Sequence, residues 1–169
     1  MAEPNLPLIS LKTADGETFQ VSPIIVKQME TVQNFIEDES SVSITSSIIP
    51  LPNVNASELS KIIDYLEYHH NFRKVGENAE SNDDEAKEFD EKFMKGFSDD
   101  ELKTLLIAAN YLNVKELLEL LFQTLADHIE NKSVEYVRNF FGIVSTYTPE
   151  EEEELRQKHQ WAFEGVDED

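Results

Sequence analysis

From residue 98 onward the chain is a series of helical segments, each opened by a capping residue and closed by a breaker. Ser98, with Glu101 three residues on, forms a capping box. Leu102, Leu105, Leu106, Ala109 and Leu112 then recur at helical spacing until Asn113. The next helix is predicted over 114–131. Ser133 caps a short helix to about Phe141, which Gly142 ends. Thr148-Pro149-Glu150-Glu151 opens the last one with a cap, a proline at the first helical position and an acid three residues after the cap. The glutamates 150–154 suit the positive end of that helix. Apolar groups at 114, 117, 118, 120, 121, 122, 125, 126 and 129 cover well over half the circumference of their helix, wider than a one-sided stripe. Such a helix is either central to a core or packs one face inward and offers another to a partner. Trp161 and Phe163 favour the partner, because the acidic last helix has only Leu155 and these late aromatics to pack with.

The N-terminal part has a different period. Ile9 and Leu11 alternate on one predicted strand and Phe19 and Val21 on another, around Asp15-Gly16. A two-residue Asp-Gly turn would pair Leu11 with Gln20 and send the two apolar sets to opposite faces. A three-residue loop, Ala14 to Gly16, pairs Leu11 with Phe19 and Ile9 with Val21, with Gly16 left-handed in a bulge, and is the expected form. Ser22-Pro23 opens a helix predicted over 23–37, with Ile25, Met29, Val32 and Ile36 on one face. Residues 38–47 read as a Ser-rich acidic loop, and 48–54 (IIPLPNV) as a short extended segment that Pro50 and Pro52 restrict to a sheet edge. Asn55 with Glu58 signals a helix to about His70. Residues 71–88 read as an acidic mobile insert, and Phe89 and Phe93 mark a short helix or turn over 88–95.

Composition narrows the function. With 14 basic against 35 acidic residues the net charge is −21, so nucleic acid and anionic membrane surfaces are disfavoured partners. There is no cysteine, which excludes disulfides, thiolate metal sites and a Cys nucleophile. The segment MAEPNLPLIS has no apolar signal region and no run of 18 apolar residues occurs, so neither secretion nor membrane spanning is expected. The cytoplasm and nucleus are the expected compartments. His69, His70, His128 and His159 show no paired metal-ligand spacing, and His69 and His70 read as polar residues at a helix end. No Walker loop, dinucleotide turn or nucleophile elbow is present, and the acidic runs lack the EF-hand order. No catalysis, metal or cofactor is expected.

Four stretches together resemble the Skp adaptor family, the small subunit of SCF (Skp–cullin–F-box) ubiquitin ligases. They are the Asp-Gly-Glu hairpin with Phe19 and Val21, PLPNVNA at 50–56, LLIAANYLNVKELLEL at 105–120, and TPEEEEELRQKHQW at 148–161. The resemblance implies an α+β chain: a BTB/POZ fold over 1–131, with a small three-stranded sheet and helices, followed by a helical F-box-binding extension over 132–169. It implies a non-catalytic adaptor that holds a cullin N-terminal region with its BTB part and the F-box of a substrate receptor with its C-terminal helices. An elongin C-like or self-associating BTB module is the alternative, and it would not need the extension.

Carried over by position, Asn110 and Tyr111 match the family's cullin contact pair, and Leu51 and Val54 lie in the neighbouring segment. Leu106, Leu118, Leu125, Ile129, Val137, Phe141, Ile143 and Trp161 match its F-box positions. Trp161 is followed by alanine where many relatives have cysteine, and Phe140-Phe141-Gly142 replaces a usual Phe-Asn, so receptor preference is open to change. Pro149 matches a proline that some protist relatives hydroxylate and glycosylate, although helix geometry alone accounts for a proline there. A free adaptor with this much apolar surface is also a candidate for weak homodimerisation. Residues 143–163 are expected to be poorly ordered alone and to fold onto an F-box, since one short helix is marginal without packing.

Overall fold

In the computed structural model, residues 7–38, 48–76 and 83–166 are described. Strand β1 (Ile9–Thr13) is central in a three-stranded sheet of order β2-β1-β3, with β2 (Thr18–Val21) antiparallel to it and β3 (Ile48–Leu51) parallel. Leu11 lies opposite Phe19 and Ile9 opposite Val21, the register that keeps both apolar sets on one face. Thr13 donates its backbone N–H to the Glu17 carbonyl at 2.9 Å, closing the loop Ala14 to Gly16, and Gly16 takes φ +96°. That positive φ costs a glycine nothing. Pro50 sits in β3, on the edge, where a missing N–H is tolerated.

The tip of the hairpin is tied to the helix that follows β3. The Asp15 carboxylate accepts from the Thr13 hydroxyl at 2.5 Å and from the Ala56 backbone N–H at 3.1 Å, and Ala14 N–H donates to the Val54 carbonyl at 2.8 Å. These bonds hold the Asp15 carboxyl below its ordinary range, the Thr13 bond most. Asp15 thereby supplies an anion to the N-terminus of helix α3 (Ala56–Gly76), alongside the predicted Asn55–Glu58 signal.

Two helix predictions need correction. The single helix expected over 23–37 is two: α1 (Pro23–Val26) and α2 (Glu30–Asp38). The Met29 carbonyl accepts from Gln33 N–H at 3.0 Å, so Met29 occupies the position before α2 although its side chain has no oxygen to cap with. Its complete burial offsets that lack. Ile25, Val26, Met29 and Val32 are all buried, so the apolar spacing survives the break and conceals it in the sequence. Helix α3, in turn, does not stop at His70 but runs to Gly76, and α4 (Asp83–Met94) begins five residues before the predicted turn, so both ends of the segment read as an insert are helical. In the added part of α3 the Phe72 ring stacks on Tyr68 and Arg73 pairs with Glu116, while Tyr65, Tyr68 and His69 pack on Phe89 and Phe93 of α4, with the Tyr68 and Phe89 rings stacked. His69 is buried and hydrogen-bonded to Asp90 at 2.8 Å, which anchors α4 rather than ending α3. The predicted loop over 38–47, apart from its first residue, and positions 77–82 of the insert lie outside the described residues.

Helix α5 (Asp99–Leu112) follows prediction closely. Ser98 and Glu101 form the reciprocal capping box, and Asn113 ends the helix in the left-handed conformation, φ 53°. Leu102, Leu105, Ala108, Ala109 and Leu112 are its buried face. Helix α6 (Lys115–Ile129), α7 (Val134–Phe141), α8 (Pro149–Lys158) and a single 3-10 turn (Gln160–Phe163) complete the chain. Packing divides the chain into two compact units, Met1–Leu121 and Phe122–Asp169. The division falls inside α6, whereas the sequence reading ends the BTB part at Asn131. Leu117, Leu118 and Leu121 of the helix are buried, and its residues beyond Leu121 are half-buried or exposed.

Glu101 accepts from the Ser98 N–H and from Lys61 Nζ, at 3.0 and 3.1 Å, and these bonds hold its carboxyl at about 2 against an ordinary 4.5. A carboxyl depressed by folding stabilises the fold when ionised; that contribution is complete above 4.5 and is lost as pH falls toward 2. Glu101→Gln should therefore lower the urea midpoint at neutral pH, and the gap from wild type should close progressively between 4.5 and 2. A gap that stays constant over that range would show that the ionised carboxylate contributes nothing.

Candidate protein-interaction surfaces

The end of α5 is a rigid platform. The Thr31 hydroxyl on α2 donates to the Tyr111 carbonyl at 2.7 Å, and the Asn113 side-chain amide donates to Glu30 at 2.7 Å. Lys115 reaches the same glutamate at 3.0 Å. With its C-terminal turn tied to α2 and its N-terminus boxed, α5 presents Asn110 exposed and Tyr111 half-buried. Ile107, one turn earlier on the same face, is 62 % exposed. An apolar side chain outside the buried stripe of α5 is a signal that the sequence carried and that the family-based assignment passed over.

The other two residues assigned to the cullin face do not reach it. Leu51 is 2 % exposed and Val54 1 %, because β3 points its second and fourth residues into the core and Val54 follows in the same burial. The exposed residues of that segment are Ile48, Pro50, Pro52 and Asn53. Beside α2, a cleft of about 460 Å³ is lined by charges of both signs, among them Lys27, Glu37 and the ion-paired Arg73 and Glu116.

The second surface belongs to the unit Phe122–Asp169. Phe140 is its one strongly buried apolar side chain among the described residues, packed on the rings of His128 and Tyr136. The Tyr136 hydroxyl lies 2.7 Å from His128 Nε2, a polar contact between α6 and α7. Phe141, next to Phe140, is turned outward, as are Ile143, Val144, Tyr147 and Trp161, the last 74 % exposed. Phe122 is exposed as well. Leu125, Ile129 and Val137 are half-buried and contribute partial surface. Leu106 is half-buried on α5, in the other unit, and Leu118 is buried with the core rather than exposed as its assignment expected. The wide apolar girth of α6 is thus divided along its length rather than around it: core up to Leu121, open beyond.

Helix α8 has both predicted devices, the Thr148–Glu151 capping box and Pro149 in the first turn, and no buried residue. Pro149 is exposed. No group of three or more His, Cys, Asp or Glu side chains suited to a metal ion occurs among the described residues, and no helix there is long and apolar enough to cross a membrane.

The two surfaces differ in chemistry, one at a hydrogen-bonded helix end and one apolar on a thinly packed helical unit. The sequence matches the Skp1 family tetramerisation domain over residues 7–71 and the Skp1 family dimerisation domain over residues 115–162. It is 41% identical over 160 residues to an SKP1-like protein of Arabidopsis thaliana, SKP1-like protein 1A, covering 92% of this chain and 97% of that one. It is 39% identical over 171 residues to SKP1-like protein 20 of Oryza sativa subsp. japonica, covering 93% and 95%. The chain belongs to the Skp1 family, with the α+β BTB/POZ architecture of that family.

The correction at β3 is directly measurable. Leu51→Ala should lower global stability by about 2–5 kcal/mol, the cost of emptying a leucine site in a packed core. Urea unfolding followed by circular dichroism reads it. A variant of unchanged stability would return Leu51 to the set of surface contacts.

Proposed function

We propose that the chain is a non-catalytic adaptor of an SCF-type E3 ubiquitin ligase, bridging a cullin scaffold to F-box substrate receptors. The observation that carries this reading is the presence of two exposed surfaces of different chemistry, each on its own compact unit. Asn110 and Tyr111, with Ile107 beside them, form the cullin face; an amphipathic tyrosine next to a polar amide on a fixed helix end suits a contact that needs no rearrangement. Phe141, Ile143 and Trp161, flanked by Leu125, Ile129 and Val137, form the F-box face. Self-association of the free chain through the second face is the competing use of the same apolar surface, and the matched family domain is described as a dimerisation domain.

Two variants separate the faces. Asn110→Lys combined with Tyr111→Lys should abolish co-purification with a cullin N-terminal fragment and leave F-box binding and the melting temperature unchanged. Normal cullin capture by this variant would reject the assignment. Trp161→Ala should weaken an F-box peptide by about 30-fold or more, the scale of losing roughly 2 kcal/mol at a buried aromatic anchor, with cullin binding intact. Because Trp161 is the only tryptophan, its emission should shift to the blue on adding the F-box peptide and stay put on adding the cullin fragment.

A further inference from the structure

Helix α8 raises a question the adaptor reading does not answer: what holds it in place. None of its residues is buried, nor is any residue of the 3-10 turn carrying Trp161. Leu155 of α8, Val134 of α7 and Phe163 line a cleft of about 70 Å³ with Arg138, Glu152 and Arg156, so the apolar contact between the two helices is incompletely filled. Charge is better organised than packing. Arg138 of α7 donates to Glu152 of α8 at 2.7 Å, with both side chains about a quarter exposed, and Ser145 donates its hydroxyl to the same carboxylate at 2.5 Å. In the opposite sense, Arg156 of α8 is hydrogen-bonded to Glu135 of α7, and its guanidinium lies over the Phe163 ring at 5.2 Å. The two pairs cross: each helix gives one arginine and receives one. Glu152 and Glu135 both ionise below the ordinary glutamate range, Glu152 chiefly through the Ser145 and Arg138 bonds and Glu135 chiefly through a backbone bond.

We infer that Arg138 and Arg156 are positioning residues: the reciprocal ion pairs Arg138–Glu152 and Arg156–Glu135 form an ionic latch that docks α8 on α7 and so sets where Trp161 stands. Individually such pairs contribute little. They decide the outcome here because no buried side chain of α8 competes with them. Placement of Trp161 therefore depends on ionic strength, unlike the core-anchored α5. The consequence for receptor capture rests on the proposed function; the latch itself does not.

The test uses the free, full-length chain. Amide hydrogen exchange and the fluorescence anisotropy of Trp161 are compared at about 0.01 M and about 1 M salt, over which the screening length shrinks from about 30 Å to about 3 Å. The amides of residues 152–158 should exchange roughly 3- to 10-fold faster at high salt, the scale of one or two exposed ion pairs, and the anisotropy should fall, while the amides of α5 do not change. Arg138→Glu should reproduce this at low salt, and adding Glu152→Arg to that variant should slow exchange again. Exchange and anisotropy indifferent to salt would overturn the latch. So would a reversal that the second substitution does not relieve, because Arg138 would then be acting by packing alone. If salt and reversal move Trp161 but the wild-type chain ignores an F-box peptide, the adaptor reading fails and the latch stands. If the peptide binds and α8 does not respond to salt, the latch fails and the adaptor reading stands.

Discussion

Hydrophobic burial in this chain stops, for practical purposes, at Leu121, and the rest of its behaviour follows from that limit. Up to Leu121 the alternate residues of β1 and β3 and the inward stripes of α3, α5 and the first half of α6 share one core, with Leu11, Leu59, Ile62, Leu105, Leu117 and Leu121 fully enclosed. Beyond Leu121, Phe140 alone among the described residues is as deeply placed. The second unit therefore relies on caps, a tyrosine–histidine contact, ring packing around Phe140 and crossed ion pairs. Each of these is small, and together they leave large apolar side chains in water. That is an uneconomical way to build a free-standing domain and a workable way to keep a docking face available.

Local chemistry was legible where one physical requirement had one solution. The hairpin register could be read because only a three-residue loop puts Ile9, Leu11, Phe19 and Val21 on a common face. The caps at Ser98, Ser133 and Thr148, and the stops at Asn113 and Gly142, could be read because each satisfies orphan backbone groups with its own side chain or with a left-handed backbone. The break between α1 and α2 was not legible, since the buried positions keep a helical spacing across it. Nor was the length of α3: in its last turns Arg73 pairs with Glu116, a partner out of reach of any local window.

The site residues divide in a similar way. Family position locates a segment but not the direction of its side chains: PLPNV matches a contact region, yet the period-two pattern of β3 sends Leu51 inward and leaves Pro50 and Pro52 outside. Leu118 is misplaced by sequence for a related reason. On a helix whose apolar residues wrap more than half the circumference, sequence cannot say whether the core covers one side or one end. Here it covers one end, so Leu118 is buried while Leu125 and Ile129 are only half-covered.

The two surfaces consequently differ in what binding costs them. Asn110 and Tyr111 stand on a helix boxed at its start by Ser98 and Glu101 and tied at its finish to Thr31 and Glu30, so little conformational freedom remains to be lost on contact. Such a face suits one partner met always in the same way. Trp161 stands on a segment with no buried residue, next to the glutamates 150–154 and held by charges that water and salt weaken. Ordering it costs more per contact, but a loosely held aromatic and its neighbours can be repacked against different partners. Within the proposed function, this difference assigns the fixed scaffold to the first face and the exchangeable receptors to the second. Family position matches the faces to these partners, and where the core ends accounts for the difference between them.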